Sequence, residues 1–270
     1  MKQRLFALLL LCFCLSVGLF AQRKGEITAK RNVIDGGYNF WFYTPEEYEA
    51  GGHPLPVVLF LHGASLCGNN LDRVRRYGTL DALEKGKIIP AYVVAPQNRG
   101  GAWNPRKLHD VIDWVKAHYP VDDTRIYVLG MSLGGYGTLD YTATYPGEVA
   151  AAMALCGGST LKDVQPLGEV PLWIMHGTAD RAVNANESKK IVKALQQSDH
   201  ARLLRFDWVK GGSHGLLARL FYMQKTYDWL FSHSLKDHPR TVDRTFDIGK
   251  SDFDATYREL RMMSECYDEN

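Results

Sequence analysis

The stretch RIYVLGMSLGGYGTL, residues 125–139, decides how this chain is read. Its first half is a short apolar run of the kind that forms a buried strand, and its second half suits a helix. Between them Gly130, Ser132 and Gly134 spell G-x-S-x-G. Gly130 allows a turn that a side chain would obstruct, and Ser132 then sits at its apex. Gly134 and Gly135 let the following helix pass close to the strand. A hydroxyl held there is presented for attack on a carbonyl. The N–H of Leu133, at the helix start, points toward a developing oxyanion. The motif alone is a weak signal; its strand–turn–helix setting favours a nucleophile over a glycine-rich structural turn.

The same pattern recurs at Gly211, Ser213 and Gly215 in VKGGSHGLL (209–217), again after a strand-like run and before a helix-like one. Two further segments decide between the copies. LFLHGASLCG (59–68) is an apolar strand ending in His-Gly and a small-residue loop, where the N–H of Ala64 is the best second oxyanion donor. His62 could act as a base, but a role hydrogen-bonding its own loop fits better. In PLWIMHGTADRAV (171–183) a strand again ends in His-Gly, and Asp180 follows in the loop. Asp180 either orients a histidine or caps the helix near Glu187, and its position after the strand favours the first.

His214 supplies the side chain that can take a serine proton and return it near neutral pH. With Ser132 as nucleophile, Asp180 and His214 follow in the order Ser…Asp…His. With Ser213 instead, only His233 and His238 remain downstream, and no strand is left to carry an acid loop. Bulky Leu216 and Leu217 also follow Ser213 where GlyTyrGly follows Ser132. The sequence therefore assigns Ser132, Asp180 and His214 as catalytic, and Ser213 as a small turn residue.

Outward from these segments, short apolar runs alternate with amphipathic ones, which predicts a βαβ chain and a mostly parallel sheet. Strands are expected at 56–62, 91–96, 125–130, 149–156 and 171–177, with 202–209 near a sheet edge. GEITAKRNVI and YNFWFYTP read as antiparallel lead-in strands. Helices are expected at 107–119, with Leu108, Val111, Ile112 and Val115 on one face, and at 186–197. HGLLARLFYMQKTYDWLF (214–231) reads as the longest apolar helix. From Lys236 the chain is more polar, with one helix around Ala255–Met263, and reads as a C-terminal extension without chemistry.

The 270 residues suit one sizeable domain, and 46% hydrophobic with 23% charged residues is ordinary for a globular chain. Residues 1–21 carry Lys2 and Arg4, then an apolar run from Leu5 to Phe20, and end on Ala21. That is the layout of a secretory signal, and it predicts a secreted or periplasmic protein. An uncleaved anchor is the alternative; Cys12 and Cys14 lack the small residue that lipid attachment requires. Cleavage would leave 30 basic residues (32 less two) against 30 acidic ones. Such a chain offers no electrostatic case for nucleic acid or for an anionic membrane. The remaining cysteines, Cys67, Cys156 and Cys266, fit neither a disulfide framework nor a zinc pattern. No metal or other cofactor is expected. The division is thus 1–21 signal, 22–235 catalytic domain and 236–270 extension.

Taken together, LHGASLCGN, VVAPQ, VDDTRIYVLGMSLGGYGT, YPGEVAAAMALCGG, HGTAD and GGSHG resemble the α/β-hydrolase superfamily over roughly residues 53–235. The resemblance is to its secreted serine esterases, of the carboxylesterase/phospholipase and feruloyl-esterase-like kind. It implies an α/β-hydrolase fold, with Ser132 as nucleophile, His214 as base, Asp180 as acid, and Ala64 and Leu133 as oxyanion donors. Two positions depart from the family pattern: Ser65 stands where a second glycine is common, and proline is often found near Asn184. The run GGSTLKDVQPLGEV (157–170) is too short for the cap that lipase-like members insert there, so the site should be open. Trp103 and Tyr136 are candidates for a substrate wall, or else simple packing. The resemblance implies esters of small molecules or of polysaccharides as substrates, short-acyl, feruloyl or acetyl. A prolyl-oligopeptidase-like peptidase and a non-catalytic binding protein on the same scaffold are the alternatives.

Overall fold

The computed structural model describes residues 25–46 and 52–268. Eight strands form one sheet: β1 (Glu26–Lys30), β2 (Phe40–Thr44), β3 (Leu55–Leu61), β4 (Tyr92–Pro96), β5 (Val121–Met131), β6 (Ala151–Leu155), β7 (Leu172–Gly177) and β8 (Leu204–Val209). Their spatial order is β1-β2-β4-β3-β5-β6-β7-β8. β2 pairs antiparallel with both β1 and β4, and every later pairing is parallel. The fold is an α/β-hydrolase fold. The predicted strands all appear, and the lead-in strands are antiparallel as expected.

The strands are apolar without interruption because the sheet is covered on both faces. Val58, Phe60, Tyr127, Leu129, Trp173 and Met175 point into one core cluster. Their neighbours Val57, Leu59, Ile126, Val128, Leu172 and Ile174 point into the other. This is the period of two that a pleated strand imposes.

The helices are α1 (Thr79–Glu84), α2 (Pro105–His118), α3 (Leu133–Thr144), α4 (Asn186–Gln197), α5 (His214–Leu217), α6 (Gln224–Phe231) and α7 (Lys250–Asp268). α2 shows how sequence sets local structure. The Asn104 side chain accepts the Lys107 N–H, and Pro105 occupies the first turn, where its missing N–H costs nothing. Leu108, Val111, Ile112 and Val115 are buried against the sheet, each contributing about 1.5–3 kcal/mol of apolar burial.

One expectation fails. Residues 214–231 are not a single helix but α5, a 3-10 turn at Ala218–Tyr222, and α6, with Met223 extended between them. Side chains capture the carbonyls that the break exposes: Thr226 Oγ1 donates to Leu220 O at 2.6 Å and Tyr227 Oη to Phe221 O at 2.6 Å. Those two acceptors are thereby paired within the break.

The segment after Lys236 is packed on the domain. Val242 and Phe253 join the core, and Arg240 donates to the carbonyls of Glu169, Val149 and Ala150. Arg244 donates to Arg202 O and Leu204 O, covering the free edge at β8. α7 is longer than the helix expected around 255–263. Residues 1–21, with the expected signal, lie outside the described residues, as does any side-chain detail at Cys266.

Candidate active site

The candidate catalytic residues all lie in or just after the turns that follow strand carboxyl ends. At the end of β5, Ser132 has φ 60° and ψ −123°, a left-handed conformation that costs a non-glycine residue about 1–3 kcal/mol. The surroundings hold it there: Ser132 N–H donates to Leu155 O at 2.8 Å, and α3 starts at the next residue. A Cβ on Gly134 would lie 1.8 Å from Leu61 O, so only glycine lets α3 approach β3 this closely.

The loop after β3 lies against the serine. A Cβ on Gly63 would come 3.4 Å from Ser132 Cβ. Ala64 follows, exposed, as the first residue of a 3-10 turn, and Leu133 is the first residue of α3. Each therefore carries an N–H with no acceptor inside its own helical turn. His62 is buried and donates from Nδ1 to Gly63 O at 2.8 Å, while its Nε2 accepts the Asn98 N–H at 3.0 Å. Burial pushes its pKa down to about 4, so His62 is a neutral strut. Ser65, at the position where the family often has glycine, is held through its carbonyl by Arg73 at 2.7 Å and through its hydroxyl by Tyr77 at 3.1 Å.

On the other side of Ser132 two loops are joined backbone to backbone. Thr178 N–H donates to Val209 O and Ala179 N–H to Gly212 O. Gly211, with φ 69°, turns its N–H onto Thr178 Oγ1 at 2.8 Å. This junction brings His214 to Asp180: Nδ1 donates to Oδ2 at 2.6 Å. The carboxylate fixes the tautomer, leaving Nε2 as the ring nitrogen free to exchange a proton. Ser132 Oγ and His214 are not hydrogen-bonded to each other among the described residues, a looseness common before substrate binds.

Asp180 does not cap α4. Its Oδ1 accepts the N–H groups of Ala182 and Val183 at 2.8 and 2.9 Å. Burial alone would raise its pKa, but the donors Val183, His214 and Ala182, with the Cys156 thiol, hold it below the usual carboxylate value. The second histidine of the region, His176, places Nε2 3.3 Å from Asp180 Oδ2 and 3.0 Å from Val183 O. Its Nδ1 meets Ser188 Oγ at 2.7 Å, and Ser188 in turn donates to Gly157 O. Cys156, His176 and Asp180 bring ligand-type atoms within 4.8 Å of one another. The Cys156 thiol, its pKa raised by burial, also hydrogen-bonds to Asp180, so both neighbours bear on the carboxylate that holds His214. Cys67 and Cys156 are both free thiols.

The two wall candidates separate. Trp103 is 3% exposed, edge-on to His62 and Tyr38 and packed on Gly137. It is a packing residue, because no face of its ring is left for a substrate. Tyr136 is half-buried beside Gly158, with its hydroxyl 3.5 Å from Glu187 Oε2. Sequence reasoning missed His176 and Cys156, whose signal was only their place at strand ends. It also missed Asp140, a buried acid on α3 that accepts from Ser159 and Thr160 and holds the loop after β6.

A serine on a strained turn after β5, with an acid after β7 and a histidine after β8, defines the α/β-hydrolase class. The chain belongs to the Esterase family (putative esterase), whose model matches residues 32–254. It is 26% identical over 153 residues to a bifunctional acetylxylan esterase/xylanase of Neocallimastix patriciarum, a match covering 54% of this chain and 22% of that protein. The chain thus spans only a fraction of that relative's length. Among solved structures it resembles a thermostable esterase, with a TM-score of 0.62 and 24% identity over 78% of this chain and 63% of that one. It also resembles a feruloyl esterase module from Clostridium thermocellum complexed with sinapinate, with a TM-score of 0.56 and 20% identity over 76% and 88%.

Proposed function

We propose that this protein is a serine hydrolase of carboxylic esters. Ser132 Oγ attacks the ester carbonyl while His214 Nε2 takes its proton, and Asp180 stabilises the resulting imidazolium. The N–H groups of Ala64 and Leu133 receive the oxyanion. The alcohol leaves with a proton from His214, and a water that His214 then activates releases the acyl group from Ser132. The observation that carries the reading is the part-buried Asp180–His214 pair at 2.6 Å, at the same carboxyl end of the sheet as a serine held at φ 60°. Family membership and the acetylxylan esterase relative support an ester rather than a peptide bond as the target.

The finer reading is a short-acyl or aryl-acyl ester, carried on a small molecule or a polysaccharide outside the cytoplasm. Support comes from residues 157–170, which hold only a 3-10 turn at Gln165–Glu169 where a cap would stand. The signal-like first 21 residues support export, and no helix among the described residues is long and apolar enough to cross a membrane. Initial rates on p-nitrophenyl acetate, butyrate and palmitate, methyl ferulate and a prolyl peptide test it. Acetate or ferulate should be the best substrate. A preference for palmitate or the peptide would overturn the reading.

A further inference from the structure

A cleft of about 740 Å³ opens beyond the carboxyl end of β4, away from Asp180 and His214. Its walls are the segments around 32–39, 68–71 and 97–107. They are bonded to one another and to the oxyanion loop. Gln97 N–H donates to Asn39 O at 2.8 Å and Gly68 N–H to Asn98 O at 3.0 Å. Gln97 Nε2 reaches Leu66 O at 2.6 Å, and Asn104 N–H reaches Tyr38 Oη at 3.0 Å. The cleft is therefore preorganised, which lowers the ordering cost of binding.

Its chemistry leans towards donors. Three asparagine side-chain oxygens are already engaged by backbone N–H groups: Asn39 by Asn32, Asn98 by Gly100, and Asn104 by Lys107. A backbone N–H can only donate, so these contacts fix which amide atom is the oxygen. The amide hydrogens of Asn39 and Asn104 remain to be offered to a ligand, while Gln97 Oε1, without a hydrogen-bond partner, is an acceptor on the same walls. Arg99 and Lys107 add a guanidinium and an ammonium, both exposed and lining the cleft. The neighbouring Arg106 is paired with Asp110 at 3.2 Å; among the described residues no carboxylate pairs with Arg99 or Lys107. Asp35 is the one acid on the walls. The surface is thus rich in donors and positive by one charge.

Its place along the sheet sets how far from Ser132 a substrate must extend to reach it. Leu59 of β3 is level with Val94 of β4, and Leu61 with Gly130 of β5. The ends of β4 and β5 are therefore level and two strand spacings apart, about 10 Å. A short acyl group does not span that distance, so resting on the reading of Ser132 as nucleophile towards a short-acyl ester, we propose that this cleft is an anion-accepting subsite for the alcohol side of the ester. It takes a carboxylate on an extended, hydroxyl-rich leaving group, an acidic saccharide, and Arg99 and Lys107 select it.

The test uses an acetylated disaccharide bearing one uronic acid, and the same compound with the carboxyl reduced to an alcohol. The wild type is expected to favour the acidic ester about fivefold or more in kcat/KM, mainly through KM, since each exposed ion pair adds up to about fivefold. The preference should shrink in 0.5 M salt, by screening, a condition chosen at roughly this strength, and vanish in Arg99→Ala/Lys107→Ala. Calorimetry with the unacetylated disaccharides reads the cleft without turnover: the acidic one should bind the wild type more tightly than the reduced one, and lose that advantage in the double variant. Equal rates and equal binding of the two compounds by the wild type, or a preference that survives the double substitution, overturns the proposal. Failure of p-nitrophenyl acetate hydrolysis would instead count against the Ser132 reading, and the binding comparison would still judge the cleft.

Discussion

Ser132 and Ser213 share a motif and differ in backbone. Ser132 has φ 60°, whereas Ser213 has φ −84° and ordinary extended geometry. In 209–217 it is Gly211 that takes the left-handed turn, two residues before Ser213, and the turn carries His214 to Asp180. Ser213→Ala should therefore keep most activity, while His214→Ala should lower kcat by about 10⁴-fold or more. Steady-state rates on p-nitrophenyl acetate check both; a Ser213→Ala variant as dead as His214→Ala would reverse the assignment. Order along the chain is what points to Ser132, Asp180 and His214, because the loops carrying Asp180 and His214 follow later strands. His176 and Cys156 were not legible, because their role depends on a carboxylate reached only when β6 and β7 lie side by side. Trp103 stayed open between substrate wall and packing because sequence does not say that Gly137, on the facing helix, leaves a slot for its ring.

At the level of elements, strands and single-faced helices were readable because burial imposes a period of two or of 3.6. The run 214–231 was not. It is apolar on most sides, so periodicity could not separate one long helix from three short pieces. The bonds that favour the break come from Thr226 and Tyr227 further along the chain. The loop after β3 carries a pH signature of its own. His62 keeps a pKa of about 4 when folded, against about 6.5 when unfolded. Between those values the unfolded chain binds the extra proton, so stability falls as pH falls from 6.5 toward 4. Integrated over that window the loss is about 3 kcal/mol. Urea unfolding at pH 7 and pH 4.5 should show a smaller pH-dependent loss for His62→Gln than for the wild type. Equal losses would mean that His62 is not the neutral strut described.

Across the whole molecule, the carboxyl end of the sheet collects the site. The strained turn of β5 stands between the oxyanion loop of β3 and the carboxyl ends of β6, β7 and β8, and the donor-rich cleft lies beyond β4. The parallel character of the sheet could be anticipated from the alternation of strands and helices, since parallel neighbours need crossovers, but the order that places β4 between β2 and β3 could not. The cleft could not, because its walls come from three segments that sequence presents as polar loops. Nor could the docking of the segment after Lys236, whose polar composition hides Val242 and Phe253. The central claim is that Ser132 is the nucleophile, and covalent labelling tests it most directly. The protein is incubated with a fluorophosphonate, digested and read by peptide mass. A single adduct on the peptide containing Ser132, absent from Ser132→Ala and retained in Ser213→Ala, is the predicted result. An unlabelled wild type, or an adduct that persists in Ser132→Ala, would contradict it.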